Sequence, residues 1–228
     1  MSSAQVSSRT SFAVRSGAHQ PELVLYAAPH SSASPVQSAL LELGVAHQTV
    51  KLDLAAQEQR TPKFLALNPN GKVPTLLVDG EPMFEALAIL IYLGERFGVE
   101  SNMWPAADTA ERRCAHAWAT WAYVTYGQQL VLLQHATSEQ LPSEVHNPAQ
   151  AKLALERING MLDLVEARLA AQPFMLGASY SLLDLIVASV LGYGTWLGAR
   201  VDGHPHVHRW LAQFQARPAY AAGMSLAA

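Results

Sequence analysis

The sequence predicts an α/β domain followed by an all-α domain, on three observations. Residues 22–97 alternate short apolar runs with capped, helix-period runs. Residues 98–108, GVESNMWPAAD, carry no period at all, and from residue 109 onward only helical patterns recur. A chain of 228 residues is long enough for two ordinary domains, each with its own core.

The first domain builds up element by element. Residues 23–27, LVLYA, form a short apolar run that reads as a strand. Ser34-Pro35-Val36-Gln37 marks a helix start, with serine at the N-cap, proline at N1 and glutamine at N3 closing a capping box. Gly44 supplies the stop. Residues 47–51 read as a second strand, and Thr61-Pro62 begins a short helix that ends near Asn68-Pro69. Residues 75–78 and 81–84 flank Asp79-Gly80, the dipeptide of a two-residue hairpin. Residues 85–97 then form a helix whose Leu87, Ile89, Leu90, Ile91, Leu93 and Phe97 weight one broad apolar side. Strand, helix, strand, helix, hairpin, helix is the order of a compact α/β unit.

Residues 98–108 read as a linker, and residues 109–228 as the helical domain. Its helices run from Thr109 to about residue 133, from Asn147-Pro148 to about residue 171, from Ser181, and over residues 206–217 before Pro218. Ser181 and Asp184 have the spacing of a capping pair, so Asp184 is expected to serve folding rather than chemistry.

Composition narrows the function classes. Charged residues make up only 14% and the formal net charge is −3, so no basic surface is offered to nucleic acid or acidic lipid, and a small-molecule or protein partner is expected. Cys114 is the single cysteine, which excludes an internal disulfide and any CxxC redox or zinc site. Residues 182–191 are the best apolar run, but they fall short of the roughly 18 a membrane helix needs and include Asp184. A cytoplasmic protein is expected. Residues 1–21 hold six serines, Arg9, Arg15 and no acid, and read as a disordered tail or tag remnant in preference to a transit peptide.

Three stretches carry candidate chemistry. Val73-Pro74 stands immediately before a strand, where the peptide bond is a candidate for the cis form that would turn the Val73 backbone outward toward an extended, peptide-like ligand; an ordinary loop proline is the plainer reading. Phe84-Glu85-Ala86 places unpaired helix N–H groups beside a carboxylate. That pair matches the two charged ends of an amino acid, although an acid here also serves simply as a dipole partner. Ser31 and Ser32 lie between the first strand and the first helix, where a hydroxyl can face a ligand. His204, His206 and His208 alternate, but no cysteine or carboxylate cluster joins them, and no metal is expected.

Taken together, LYAAPHSSASPVQSALLELG, TPKFLALNPNGKVPTLLVDG, FEALAILIYLGERF, SYSLLDLIVASVL and HPHVHRWLAQFQARP resemble the glutathione transferase superfamily, in that order, over residues 22 to about 220. The resemblance implies a thioredoxin-like first domain, a helical-bundle second domain, glutathione as cosubstrate and a homodimer. It implies that Val73 pairs through its backbone with the cysteinyl part of glutathione, that Pro74 is cis, and that Glu85 with the N–H of Ala86 holds the γ-glutamyl end. Lys72 stands where many members contact glutathione carboxylates, and Arg60 near the position serving the glycyl end. The serine-type members resembled (phi-, theta- and zeta-like, with bacterial beta-like relatives) imply that Ser31 donates to the glutathione sulfur, with Ser32 as the alternative. Tyr123 and Tyr126 are the candidates for lining the pocket of a small apolar electrophile.

The energetics of such a site are modest. A thiol of pKa about 8.5 is only about 3% thiolate at neutral pH. Lowering it by about two units takes about 2.7 kcal/mol, and one hydrogen bond to a charged group supplies about 1.5–3 kcal/mol. A serine hydroxyl therefore suffices without a general base. The chain also departs from the resembled patterns: Ala33 and Val36 replace the cysteine and arginine of the zeta-like motif, and Ala86 replaces the usual serine after Glu85. A transferase of alkyl or aryl groups is the expected activity; a non-catalytic binding protein on the same fold and a glutathione-dependent isomerase or dehalogenase are the alternatives.

Overall fold

The structure is a computed structural model that describes residues 20–138 and 141–226, so the expectation for the amino-terminal tail falls on residues outside the described ones, apart from Gln20 and Pro21. β1 (Leu23–Ala27) is the pivot of the first domain. It pairs in parallel with β2 (Gln48–Lys51) and antiparallel with β3 (Thr75–Val78), which pairs with β4 (Glu81–Phe84) to give the order β2-β1-β3-β4. The period of two is visible in β1: Leu23, Leu25 and Ala27 are buried, while Val24 and Tyr26 are half-buried on the other face. Tyr26 meets Phe64 of α2 (Pro62–Leu65) edge-on at 5.7 Å. The opposite face lies beneath α1 (Ser34–Glu42) and α3 (Ala86–Leu93), whose Val36, Leu40, Ile89, Leu90 and Leu93 are completely buried. Asp79 and Gly80 both take positive φ, 51° and 86°, which is the turn that a two-residue hairpin requires.

The start of α1 differs from the expectation. Ala33 occupies the N-cap, and Ser34 is the first helical residue with its Oγ buried and unpartnered among the described residues. The cause is the turn before it. Ser31 accepts the N–H of Ala33 at its Oγ (3.1 Å) and that of Ser34 at its carbonyl (3.0 Å), so the amides leading into the helix are already paired, and Pro35 at N2 has no N–H to cap. Gln37 closes no capping box; its Oε1 instead accepts from Thr49 at 2.9 Å.

The second part of the chain is helical: α4 (Ala110–Thr120), α5 (Gly127–Thr137), α6 (Pro148–Ala171), α7 (Leu182–Trp196), α8 (Pro205–Gln215) and α9 (Pro218–Ser225). The long helix expected from Thr109 is interrupted by a wider, π-helical stretch over Trp121–Tyr126. The chain between the two parts is anchored by Trp104, 2% exposed, whose ring lies against Gly94 and whose Cβ lies against Gly98, so that a Cβ added at either glycine would collide with it. Among the described residues, no helix is long and apolar enough to cross a membrane.

α9 returns to the first domain. Arg217 forms a two-pronged ion pair with Glu42 at the end of α1 and lies 3.8 Å over the Tyr180 ring. Gly223 sits so close to α1 that an added Cβ would land on Ser38 Oγ and lie 2.8 Å from the Ser34 carbonyl oxygen. Backbone cannot yield locally, so Gly223→Ala should separate the two helices and cost about 1–3 kcal/mol. Thermal unfolding checks this, and an unchanged melting temperature would contradict the packing.

Candidate glutathione-binding site

Strand register brings the candidate residues to one end of the sheet. Tyr26 pairs with Thr75 and Thr75 with Phe84, so the ends of β1 and β4 both lie beside Pro74. The turn with Ser31 leaves β1 there, the loop with Val73 enters β3 there, and Glu85 leaves β4 there. A direct bond joins the first two: Ser32 Oγ donates to the Val73 carbonyl at 2.9 Å. The Val73–Pro74 peptide is cis.

Each serine has a definite partner. The Ser31 hydroxyl donates to the Ala28 carbonyl at 2.6 Å while accepting from Ala33, so it builds the turn as well as bordering the site. Ser32 is exposed and Ser31 half-buried. His30, beside them at φ 52°, donates its N–H to the Met224 carbonyl at 3.3 Å, which ties this turn to α9.

Arg60 comes to the same loop from the other side. Its guanidinium donates to the Asn70 carbonyl at 3.3 Å and crosses Gly71 so closely that a Cβ there would lie 2.7 Å from it. With φ at 58°, Gly71 is needed twice over. Lys72 is exposed next to it. Two residues that sequence reasoning passed over belong here. Gln59 presents a buried Oε1 with no partner among the described residues. Asn68, 2% exposed, ties the loop together through both ends of its amide. The signal for Asn68 was present in the run Asn-Pro-Asn-Gly, a turn composition that favours side-chain-to-backbone bonds.

Glu85 is exposed at the N-cap of α3, with φ 72° and ψ 113° and no capping bond from its side chain. A non-glycine residue there carries about 1–3 kcal/mol of strain. Its carboxylate is thereby left to solvent beside the first amides of α3, Ala86 among them. One face attracts an ammonium and the other a carboxylate.

The two tyrosines separate. Tyr123 is half-buried, whereas Tyr126 is completely buried, its hydroxyl packed against Gly194 and unpartnered among the described residues. Tyr126 therefore belongs to the core of the second part and lines no open pocket, a correction to the sequence expectation. The reason is the π-helical stretch: one extra residue in a turn rotates the residues after it by about 100°. Burial pushes both phenols well above the ordinary tyrosine range, so they stay neutral. Of the alternating histidines, His206 serves the start of α8: its Nδ1 lies 2.6 Å from Glu166 Oε1, and Glu166 also accepts the backbone N–H groups of His206 and Val207, while His204 Nε2 lies 2.8 Å from Asp163 Oδ1. Cys114 lies elsewhere, 3.1 Å from an Arg168 nitrogen.

Comparison with known proteins agrees with this architecture. The glutathione S-transferase N-terminal domain family matches residues 21–95, and the glutathione S-transferase C-terminal domain family matches residues 117–218. Glutathione S-transferase F10 of Arabidopsis thaliana is 31% identical over 72% of this chain and 76% of its own length. The disulfide-bond oxidoreductase YfcG of Escherichia coli is 28% identical over 86% of this chain and 91% of its own. Among solved structures, a glutathione transferase from Methylococcus capsulatus superposes with a TM-score of 0.77 at 29% identity, covering 90% of this chain and 98% of that one. A theta class enzyme from Xanthomonas axonopodis, with glutathione bound, gives 0.75 at 27% identity over 90% and 97%. The chain belongs to the glutathione transferase superfamily.

Proposed function

We propose that the protein binds glutathione at the sheet end described above and presents its thiolate to a small apolar electrophile held against the helical part. The observation that carries this reading is the meeting, beside Pro74, of three complementary groups: a serine turn, the Val73 backbone and the Glu85–Ala86 helix start. Glu85 with the α3 amides suits the γ-glutamyl ammonium and carboxylate. The Val73 backbone suits the cysteinyl peptide, and Arg60, Lys72 and Gln59 suit the glycyl carboxylate and amide. Val73 and Glu85 thus fix the tripeptide's direction, which puts its sulfur at the turn.

Ser31 is the thiolate donor in this reading. Its proton rests on a neutral carbonyl, a bond worth about 0.5–1.5 kcal/mol net, whereas a bond to a charged sulfur is worth about 1.5–3 kcal/mol. Transfer of the proton's direction from Ala28 to the thiolate is therefore downhill. Catalysis is then ionisation of the thiol plus proximity. Tyr123 is the remaining tyrosine candidate for the electrophile wall, and a homodimer is the expected assembly.

A second reading, glutathione-dependent disulfide reduction, is favoured by the similarity to YfcG along most of both chains. The single cysteine lies outside the site, so the reducing thiols would have to be glutathione's own. Conjugation of an aryl halide and reduction of a small mixed disulfide, assayed side by side with glutathione, distinguish the two. Conjugation alone supports the transferase, reduction alone supports the second reading, and glutathione binding with neither activity points to a binding protein.

A further inference from the structure

We infer that Asn68 is a positioning residue for glutathione, acting through the peptide plane that joins Lys72 to Val73; the inference rests on the glutathione reading above. Asn68 is almost fully buried, and both ends of its amide are engaged. Its Nδ2 donates to the Lys72 carbonyl at 2.8 Å and to Thr75 Oγ1 at 3.1 Å, while its Oδ1 accepts the Asn70 N–H at 3.0 Å. The first of these bonds matters most for the ligand. In a trans peptide, the carbonyl of one residue and the N–H of the next lie in one plane and point in opposite directions. Gripping the Lys72 carbonyl from the protein side therefore aims the Val73 N–H away from the protein, and that N–H takes no partner among the described residues.

Ser32 holds the next plane by donating to the Val73 carbonyl at 2.9 Å; Pro74 brings no N–H to that plane, and the carbonyl oxygen keeps a second lone pair for a ligand. The two side chains clamp the planes on either side of the Val73 Cα, so an extended ligand meets a donor and an acceptor already oriented. Preorganisation of this kind raises affinity by removing an ordering cost from binding.

Asn68→Asp is the informative change, because it keeps shape and the Oδ1 acceptor but replaces the donor with an oxygen facing the Lys72 carbonyl. The carboxylate's negative charge then faces the Lys72 carbonyl oxygen and the plane turns. Calorimetry with glutathione and with S-methylglutathione, whose sulfur needs no activation, should give dissociation constants raised at least about tenfold for both ligands. Thr75→Val removes that second acceptor and the hydroxyl's own long bond to the Lys72 carbonyl (3.5 Å), but leaves the shorter Asn68 bond to that carbonyl (2.8 Å) in place. It should lower the melting temperature yet leave both dissociation constants within about twofold, because the grip on Lys72 persists.

Tight binding by the natural chain with unchanged binding in folded Asn68→Asp would overturn this inference alone. So would an affinity loss in Thr75→Val as large as about tenfold, since general loosening of the loop would then govern. No glutathione binding by the natural chain would overturn the glutathione reading and this inference with it.

Discussion

Ser31→Ala should lower kcat/KM for conjugation about 10- to 100-fold near neutral pH, the equivalent of the about 1.5–3 kcal/mol that one hydrogen bond gives a charged group. The sign is set by ionisation. Without the donor, the pKa of the bound thiol returns toward about 8.5, so the pH–rate profile should shift to higher pH and the deficit should shrink as pH rises. Glutathione affinity should change little, because the backbone of Val73 and the Glu85–Ala86 pair are untouched. Part of the effect could come from the turn itself, since Ser31 also bonds Ala28 and Ala33. Ser31→Thr, which keeps the hydroxyl, should recover most of the rate and separates the two causes. Ser32→Ala should cost less than Ser31→Ala; the reverse order would show that Ser32 faces the sulfur.

The second large effect is structural. Asp184 is completely buried and accepts four hydrogen bonds: from the N–H of Met175 (2.7 Å), the N–H and hydroxyl of Ser181 (2.9 and 2.8 Å), and the indole N–H of Trp210 (2.8 Å). Burial pushes its carboxyl above the usual range, against the pull of those bonds. One side chain thus starts α7, holds the loop before it and anchors α8. Asp184→Ala leaves several buried donors unsatisfied, and about 3–5 kcal/mol of stability should be lost. For a chain of this size that corresponds to a fall in melting temperature of roughly 10 °C. Asp184→Asn keeps the volume and one acceptor and should lose less. An unaltered melting temperature in Asp184→Ala would contradict this role for the cap, while kcat per folded molecule should stay near that of the natural chain.

How much of this was legible beforehand depends on how local the cause was. Asp79-Gly80 announced its hairpin because two adjacent residues needed positive φ, and Asn147-Pro148 announced α6 because Asn147 caps Gln150 with its own side chain at 3.0 Å. The Ser181–Asp184 pair was readable for the same reason. Ser34 was misread because the preceding turn, not the side chain at the helix start, satisfies the amides. Tyr126 was misplaced because the face on which it falls depends on a π-helical stretch that leaves no simple mark on the apolar period. Asn68 and Gln59 act only once the loop around Gly71 has closed. The pairing of Arg217 with Glu42 joins positions 175 residues apart, beyond any periodicity.

In the proposed function this chain lowers the pKa of glutathione's thiol with a serine hydroxyl. Ultraviolet absorbance of the thiolate, titrated against pH with the protein saturated in glutathione, measures that directly. The expected midpoint in the natural chain lies about two units below the free thiol's value of about 8.5, and it should move back toward that value in Ser31→Ala. A midpoint in the natural chain equal to that of free glutathione, with binding demonstrated, would contradict it.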